Sequence, residues 1–168
     1  MYDFEFTEPS FTSFNLIRQT WAAVNKATEI RLAKIGLTPE KTAVLWACRD
    51  YPGSLTPAEI SRMLFRENQT IAGLLNRMER EGLVRRVPKR KGHPFTEVRL
   101  TERGEELCGP GVEIMKQMIA SILGDMPAEH QAQLQDLMRE LRDRALSTFY
   151  VEPVKPFGGA EKPIEVKW

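Results

Sequence analysis

Asn68, Gln69, Thr70, Asn76 and Arg77 place amide, hydroxyl and guanidinium groups along one side of a short amphipathic stretch. Such groups form directed hydrogen bonds and break no covalent ones, so the chemistry they offer is recognition. Their apolar companions Ile71, Leu74, Leu75 and Met78 recur at helical spacing, which predicts a helix burying one face and presenting the other. Downstream lies a cationic run, Lys89-Arg90-Lys91-Gly92-His93-Pro94, whose Gly and Pro mark a turn. Amides and guanidinium groups suit base edges, and clustered Lys/Arg suit phosphates.

Bond-making chemistry has far less to work with. His93 and His130 are the two histidines, one in the cationic run and one in an acidic stretch. Cys48 and Cys108 lack metal-ligand spacing. No nucleophile elbow, phosphate-cradling glycine loop or metal triad occurs. The expectation is therefore no catalytic residue, no metal, no cofactor and no enzyme. The two cysteines are expected to be reduced core thiols, with a thiol switch as the alternative.

The elements that must position the recognition groups come next. Thr56, Pro57 and Glu59 make a T-P-x-E start: a hydroxyl N-cap, proline at the first helical position and a carboxylate returning at the third. That helix, with Ile60, Met63 and Leu64 on its apolar side, gives out near Phe65-Arg66. The next starts near Glu67-Asn68 and stops at Glu81-Gly82. Leu83–Val87 reads as a strand and Thr96–Leu100 as its return, so the cationic run is a hairpin tip. A helix pair followed by a basic hairpin suits double-stranded DNA. The second helix fits the major groove, and the hairpin reaches the minor groove or the phosphates. Asn68, Gln69 and Thr70, at the helix start, are the base-reading candidates, and Asn76 and Arg77 the phosphate-holding ones. Thr56, Arg66 and Gly73 join them, with Lys89, Arg90, Lys91 and His93 in the hairpin. Gly73 in mid-helix costs about 1 kcal/mol against alanine, which suggests close approach to DNA or to another helix.

From about Ala43 to Leu107 the chain resembles a winged helix-turn-helix of the MarR (multiple antibiotic resistance regulator) type. LTPAEISRML, TIAGLLNRMEREGLVRR and VRLTERGEEL, in that order and spacing, carry the resemblance. It implies a mainly α fold with a small β-hairpin wing, flanked by N- and C-terminal dimerisation helices. It also implies a homodimeric repressor of a pseudo-palindromic operator, released by a small-molecule effector. The effector site would lie in the crevice between the dimer lobe and the DNA module. Phe14, Arg18, Trp21, Asn25 and Trp46, able to hold an aromatic anion, are the candidate lining, with plain dimer core as the competing reading. Relatives commonly carry Asp-x-Arg in the wing, the acid bracing the arginine. Here the tip has no acid, so phosphate neutralisation should carry more of the grip. A thiol-based redox regulator and a winged-helix protein–protein module are the alternatives.

The rest of the chain fits around this. Its 168 residues suffice for one domain with a real core. No apolar run approaches a membrane span, and the start lacks the basic residues of a secretory signal, so a cytoplasmic location is expected. Residues 54–104 hold eleven Lys/Arg against six Glu, net +5, leaving thirteen against seventeen elsewhere, net −4. Cationic charge gathered on the reading module is the footprint of a DNA binder.

Residues 1–150 read as one unit: dimerisation helices about 10–36 and 102–150 around a module about 38–101, with an extended tail at 151–168. Ser10 is the expected cap of the first helix, along which Phe14, Ile17, Trp21, Val24, Leu32 and Ile35 recur up to Gly36. Thr38-Pro39 opens a second helix to Arg49. Thr101 caps a fifth, which Gly109-Pro110-Gly111 should kink or delay. Asp125-Met126-Pro127 starts the last, with Leu134, Leu137, Met138, Leu141, Ala145 and Phe149 on one side.

Overall fold

Threonine oxygens start three of the helices. Thr38 Oγ1 accepts from Lys41 N (3.3 Å) ahead of α2, Pro39–Asp50. Thr56 Oγ1 accepts from Glu59 N (3.2 Å) ahead of α3, Pro57–Leu64. Thr101 Oγ1 accepts from Gly104 N (3.1 Å) ahead of α5, Glu102–Leu123. Each satisfies an amide that the helix cannot pair internally. The expected return contact from Glu59 is not made. Its carboxylate is taken by Arg62 and by Tyr51 Oη (3.2 Å), because a cation in the next turn outcompetes a backbone amide.

The computed structural model describes residues 4–88 and 96–149. The wing tip, with Lys89, Arg90, Lys91 and His93, and the tail 151–168 lie outside the described residues. The fold is mainly helical, with one antiparallel hairpin, as expected.

α1 spans Pro9–Leu32 and tightens into a 3₁₀ turn, Ala33–Ile35, closed by Gly36 at φ +75°. Ser10 does not cap it. The helix begins one residue earlier, at Pro9, whose missing N–H is one the first turn can spare. Thr12 serves the entering chain instead, its Oγ1 accepting from Phe6 N (2.9 Å).

α4 spans Asn68–Arg80 and buries Ile71, Leu74, Leu75 and Met78 as their spacing required. Gly82, at φ +70°, turns the chain into β1, Val84–Pro88, which pairs with β2, Thr96–Leu100. The register sets Val84 against Leu100 and Arg86 against Val98. Val98 N also donates to Leu55 O (2.8 Å), tying the hairpin to the segment before α3. Leu32, Leu45, Ile60, Ile71, Leu75, Met78, Val84 and Val98 close the core, to which α1 to α4 and both strands contribute.

α5 runs through Pro110 without the expected interruption. Gly109 and Pro110 face solvent, while Gly111 is buried. A Cβ on Gly111 would stand 3.0 Å from Leu37 Cδ1 and 3.2 Å from Thr42 Cγ2. The glycine thus lets α5 close on the start of α2. α6, Ala128–Ser147, is tied to the end of α5 by Gln131 Nε2, which donates to Leu123 O (3.1 Å) and Met126 O (2.9 Å). Of its 20 residues only Leu146 is buried. Leu134, Leu137, Met138 and Leu141 stand exposed, as do Phe14, Ile17 and Trp21 on α1 and Ile119 and Ile122 on α5. Among the described residues no helix is long and apolar enough to cross a membrane.

Candidate nucleic-acid interface

Asn68, Gln69 and Thr70 form the first turn of α4, and all three are exposed. No side chain caps that turn, so its outward-pointing amides add donors to those of the side chains. Gly73, Asn76 and Arg77 continue the exposed face. A Cβ on Gly73 would meet nothing within 4 Å, so no packing inside the chain requires this glycine. Arg66 is exposed in the α3–α4 turn, and Thr56 sits at the start of α3 with its oxygen already accepting a hydrogen bond. The four buried side chains on the opposite side of α4 hold this face in place.

A polar clamp fixes the wing to α4. Glu79 accepts from Arg86 N (2.8 Å) and Nε (3.0 Å) and pairs with the same guanidinium again through Nη2. Arg86 hydrogen bonding holds the Glu79 carboxyl below the usual carboxylate range. Arg86 Nη2 also donates to Asn76 Oδ1. Asn76 therefore spends its oxygen on the wing and keeps only amide hydrogens for a phosphate, a division its position on the helix did not reveal. At the far end of α4, Lys41 Nζ donates to both Glu81 oxygens (2.8 and 2.6 Å), joining α2 to α4.

On the hairpin's other face Arg85 lies directly across from Arg99, and both are exposed. Opposed like charges are unfavourable unless one is compensated. Glu97 does so, accepting from Arg99 Nε (3.0 Å) and Nη2 (2.8 Å). The acid missing from the tip is thus found lower on the wing. It was legible in the alternation of β2, where positions two apart share a face. Arg85, Glu97 and Arg99 line a cleft of about 310 Å³ with Cys48, Leu55 and Glu105.

Residues 35–93 match the family model described as MarR family. The chain has the winged helix-turn-helix fold, and residues 35–93 resemble the MarR family. The match covers the module as far as the wing tip, and solved structures extend the likeness of fold to both flanking helical segments. An organohalide-sensing transcriptional regulator in its 2,4-dichlorophenol-bound form is 21% identical, with a TM-score of 0.77 over 89% of each chain. The S. aureus MepR–DNA complex is 20% identical, with a TM-score of 0.74 over 83% of this chain and 99% of that one. A MarR family protein from Bacillus stearothermophilus is 26% identical, with a TM-score of 0.62 over 84% and 99%. No curated protein matches the chain.

The five effector candidates divide between α1 and α2. Phe14, Arg18 and Trp21 are exposed on α1, and Asn25 Nδ2 donates to Glu29 Oε1 (2.7 Å). Trp46 lies at the surface of α2, where its hydrogen bond helps keep the Asp50 carboxyl ionised, after the larger effect of Arg49. None of the five lines the cleft under the wing. None lines the second hollow either, about 350 Å³ between the end of α1 and the start of α2, formed by Lys26, Glu29, Ile30, Ala33, Leu37 and Thr38.

The thiols behave as core groups. Burial, then Cys108, Glu105 and Glu97, push the Cys48 thiol up from 9.0 to about 12. Burial likewise raises Cys108, opposed by Arg49. A redox sensor needs the reverse shift, toward thiolate. Because the folded Cys48 ionises later than the unfolded one, its contribution to stability is intact below pH 9 and is lost as pH rises towards about 12. Denaturant titration should show the wild type losing more stability than Cys48→Ala between pH 8 and 11, by at most about 3 kcal/mol. Parallel losses in the two proteins would refute the shift.

Proposed function

We propose that this chain is a DNA-binding transcriptional regulator, working in the cytoplasm as a homodimeric repressor on a pseudo-palindromic operator. The observation that carries this reading is the exposed polar face of α4, pinned from behind by the core and from the side by the Glu79–Arg86 clamp. Asn68, Gln69 and Thr70 read base edges. Arg66, Arg77 and the amide hydrogens of Asn76 hold phosphates, and Lys89, Arg90, Lys91 and His93 extend the grip beyond the half-site. MepR, crystallised with DNA, supports the assignment of the module. Residues 1–150 act as one unit, in which the apolar band of α1, α5 and α6 joins two copies. Two α4 helices then face successive turns of the duplex.

A small-molecule effector, of which the dichlorophenol-bound relative is an instance, shifts the spacing of the two reading heads. The hollow between α1 and α2, walled by Lys26, Ile30 and Leu37, would hold it. Phe14 and Trp21 belong first to the dimer face. A coupling of 1–3 kcal/mol, typical of such linkage, suffices for release.

Selection of bound fragments from random duplexes tests the reading. A two-fold symmetric site with half-sites about 10 base pairs apart is expected. Recovery of no enriched sequence would remove specific DNA binding. On the recovered site, Arg90→Ala/Lys91→Ala should flatten the dependence of log K on log salt by about 0.9 for each phosphate no longer neutralised. An unchanged slope would exclude the wing tip from the DNA interface.

A further inference from the structure

Phe65, between α3 and α4, is the one non-glycine residue with positive φ among the described residues, at φ 49° and ψ 47°. A Cβ in that region crowds the following carbonyl, so glycine or asparagine usually fills it. The ring gains little shelter in return, since the residue is 58% exposed. The backbone is nonetheless fixed there. Phe65 N donates to Arg62 O (3.3 Å), Arg66 N donates to Ser61 O (3.1 Å), and Ser61 Oγ donates back to Arg66 O. An exposed aromatic ring therefore stands on a left-handed backbone that the helix-end hydrogen bonds hold in place, at a position glycine would fill without strain.

We propose that Phe65 is a specificity-determining contact whose ring packs on a thymine methyl at the rim of the major groove. This rests on the DNA-binding reading above and deepens it. In a helix-turn-helix the first helix crosses the backbone while the second enters the groove by its N-terminus. The turn between them lies over the groove edge, three residues ahead of Asn68. Thymine alone among the four bases presents a methyl in the major groove, and an apolar ring against it leaves water in doing so. Exposed Arg66, next in the chain, reaches the neighbouring phosphate and keeps the turn against the duplex.

The test uses the full chain and the duplex recovered by selection. Phe65→Gly should melt about 2–4 °C higher, through relief of strain, yet bind that duplex about tenfold more weakly. Replacing the flanking thymine with deoxyuridine should weaken the wild type similarly and leave Phe65→Gly unaffected. Binding by Phe65→Gly as tight as wild type would overturn the proposal. A lower melting point would also overturn it, by showing that the ring packs within the subunit. If the wild type ignores every duplex, the DNA reading fails first and this proposal with it.

Discussion

Gly104→Ala should cost about 3 kcal/mol or more, although it adds a single methyl. That methyl would stand 2.0 Å from Leu83 O and 3.2 Å from Leu100 Cδ2. The oxygen cannot swing aside, because Thr101 N donates to it (3.2 Å) and Thr101 Oγ1 donates to the preceding carbonyl, Gly82 O. Alanine must therefore part the first turn of α5 from the root of the wing. The denaturant midpoint should fall with the slope unchanged. Gly73→Ala is the matched control. It faces open space in mid-helix and should be neutral or stabilising by up to about 1 kcal/mol. A Gly104→Ala midpoint equal to wild type would mean that the two segments do not approach so closely.

Leu137→Glu/Leu141→Glu should convert the proposed dimer into monomers at micromolar concentration. Leu137 is 59% exposed and Leu141 45%, on a helix that contributes one buried side chain to its own subunit. Carboxylates there leave the subunit's own core untouched but would be stranded without partners at an apolar interface, at several kcal/mol. Affinity for the symmetric operator should drop by about 10²-fold or more, because engagement of the second half-site ceases to be intramolecular. Light scattering reports the mass and far-UV circular dichroism the retained helices. A double variant that stays dimeric with undiminished operator affinity would locate the interface elsewhere.

These expectations differ in how early they became visible. Ile71, Leu74, Leu75 and Met78 announced α4 by spacing alone, and Thr38, Thr56 and Thr101 announced their helices by a local hydrogen bond. Such features depend on neighbours within one turn. The clamp of Glu79 on Arg86 depends on the path the chain takes around Gly82, and nothing in the two residue types specifies it. Gly109-Pro110-Gly111 read as a break, because propensity weighs each residue alone. In the fold the proline faces water and Gly111 faces Leu37 and Thr42, so packing decides the outcome. Ser10 fell inside the first turn because Pro9 opens the helix behind the N-cap residue Glu8, and Glu59 was drawn away by Arg62. At the interface, the exposed donors of α4 were readable, but the diversion of the Asn76 oxygen and the strain at Phe65 required the backbone.

The bond from Lys41 to Glu81 has a mechanical corollary. The lysine side chain is only 14% exposed, so salt screens the pair less than a surface one. Thr38, three residues before it, forms part of the wall of the α1–α2 hollow. A group wedged into that hollow would bear on the start of α2 and, through this bond, on the C-terminal end of α4. Such a load would reach α4 at the end away from Asn68, Gln69 and Thr70.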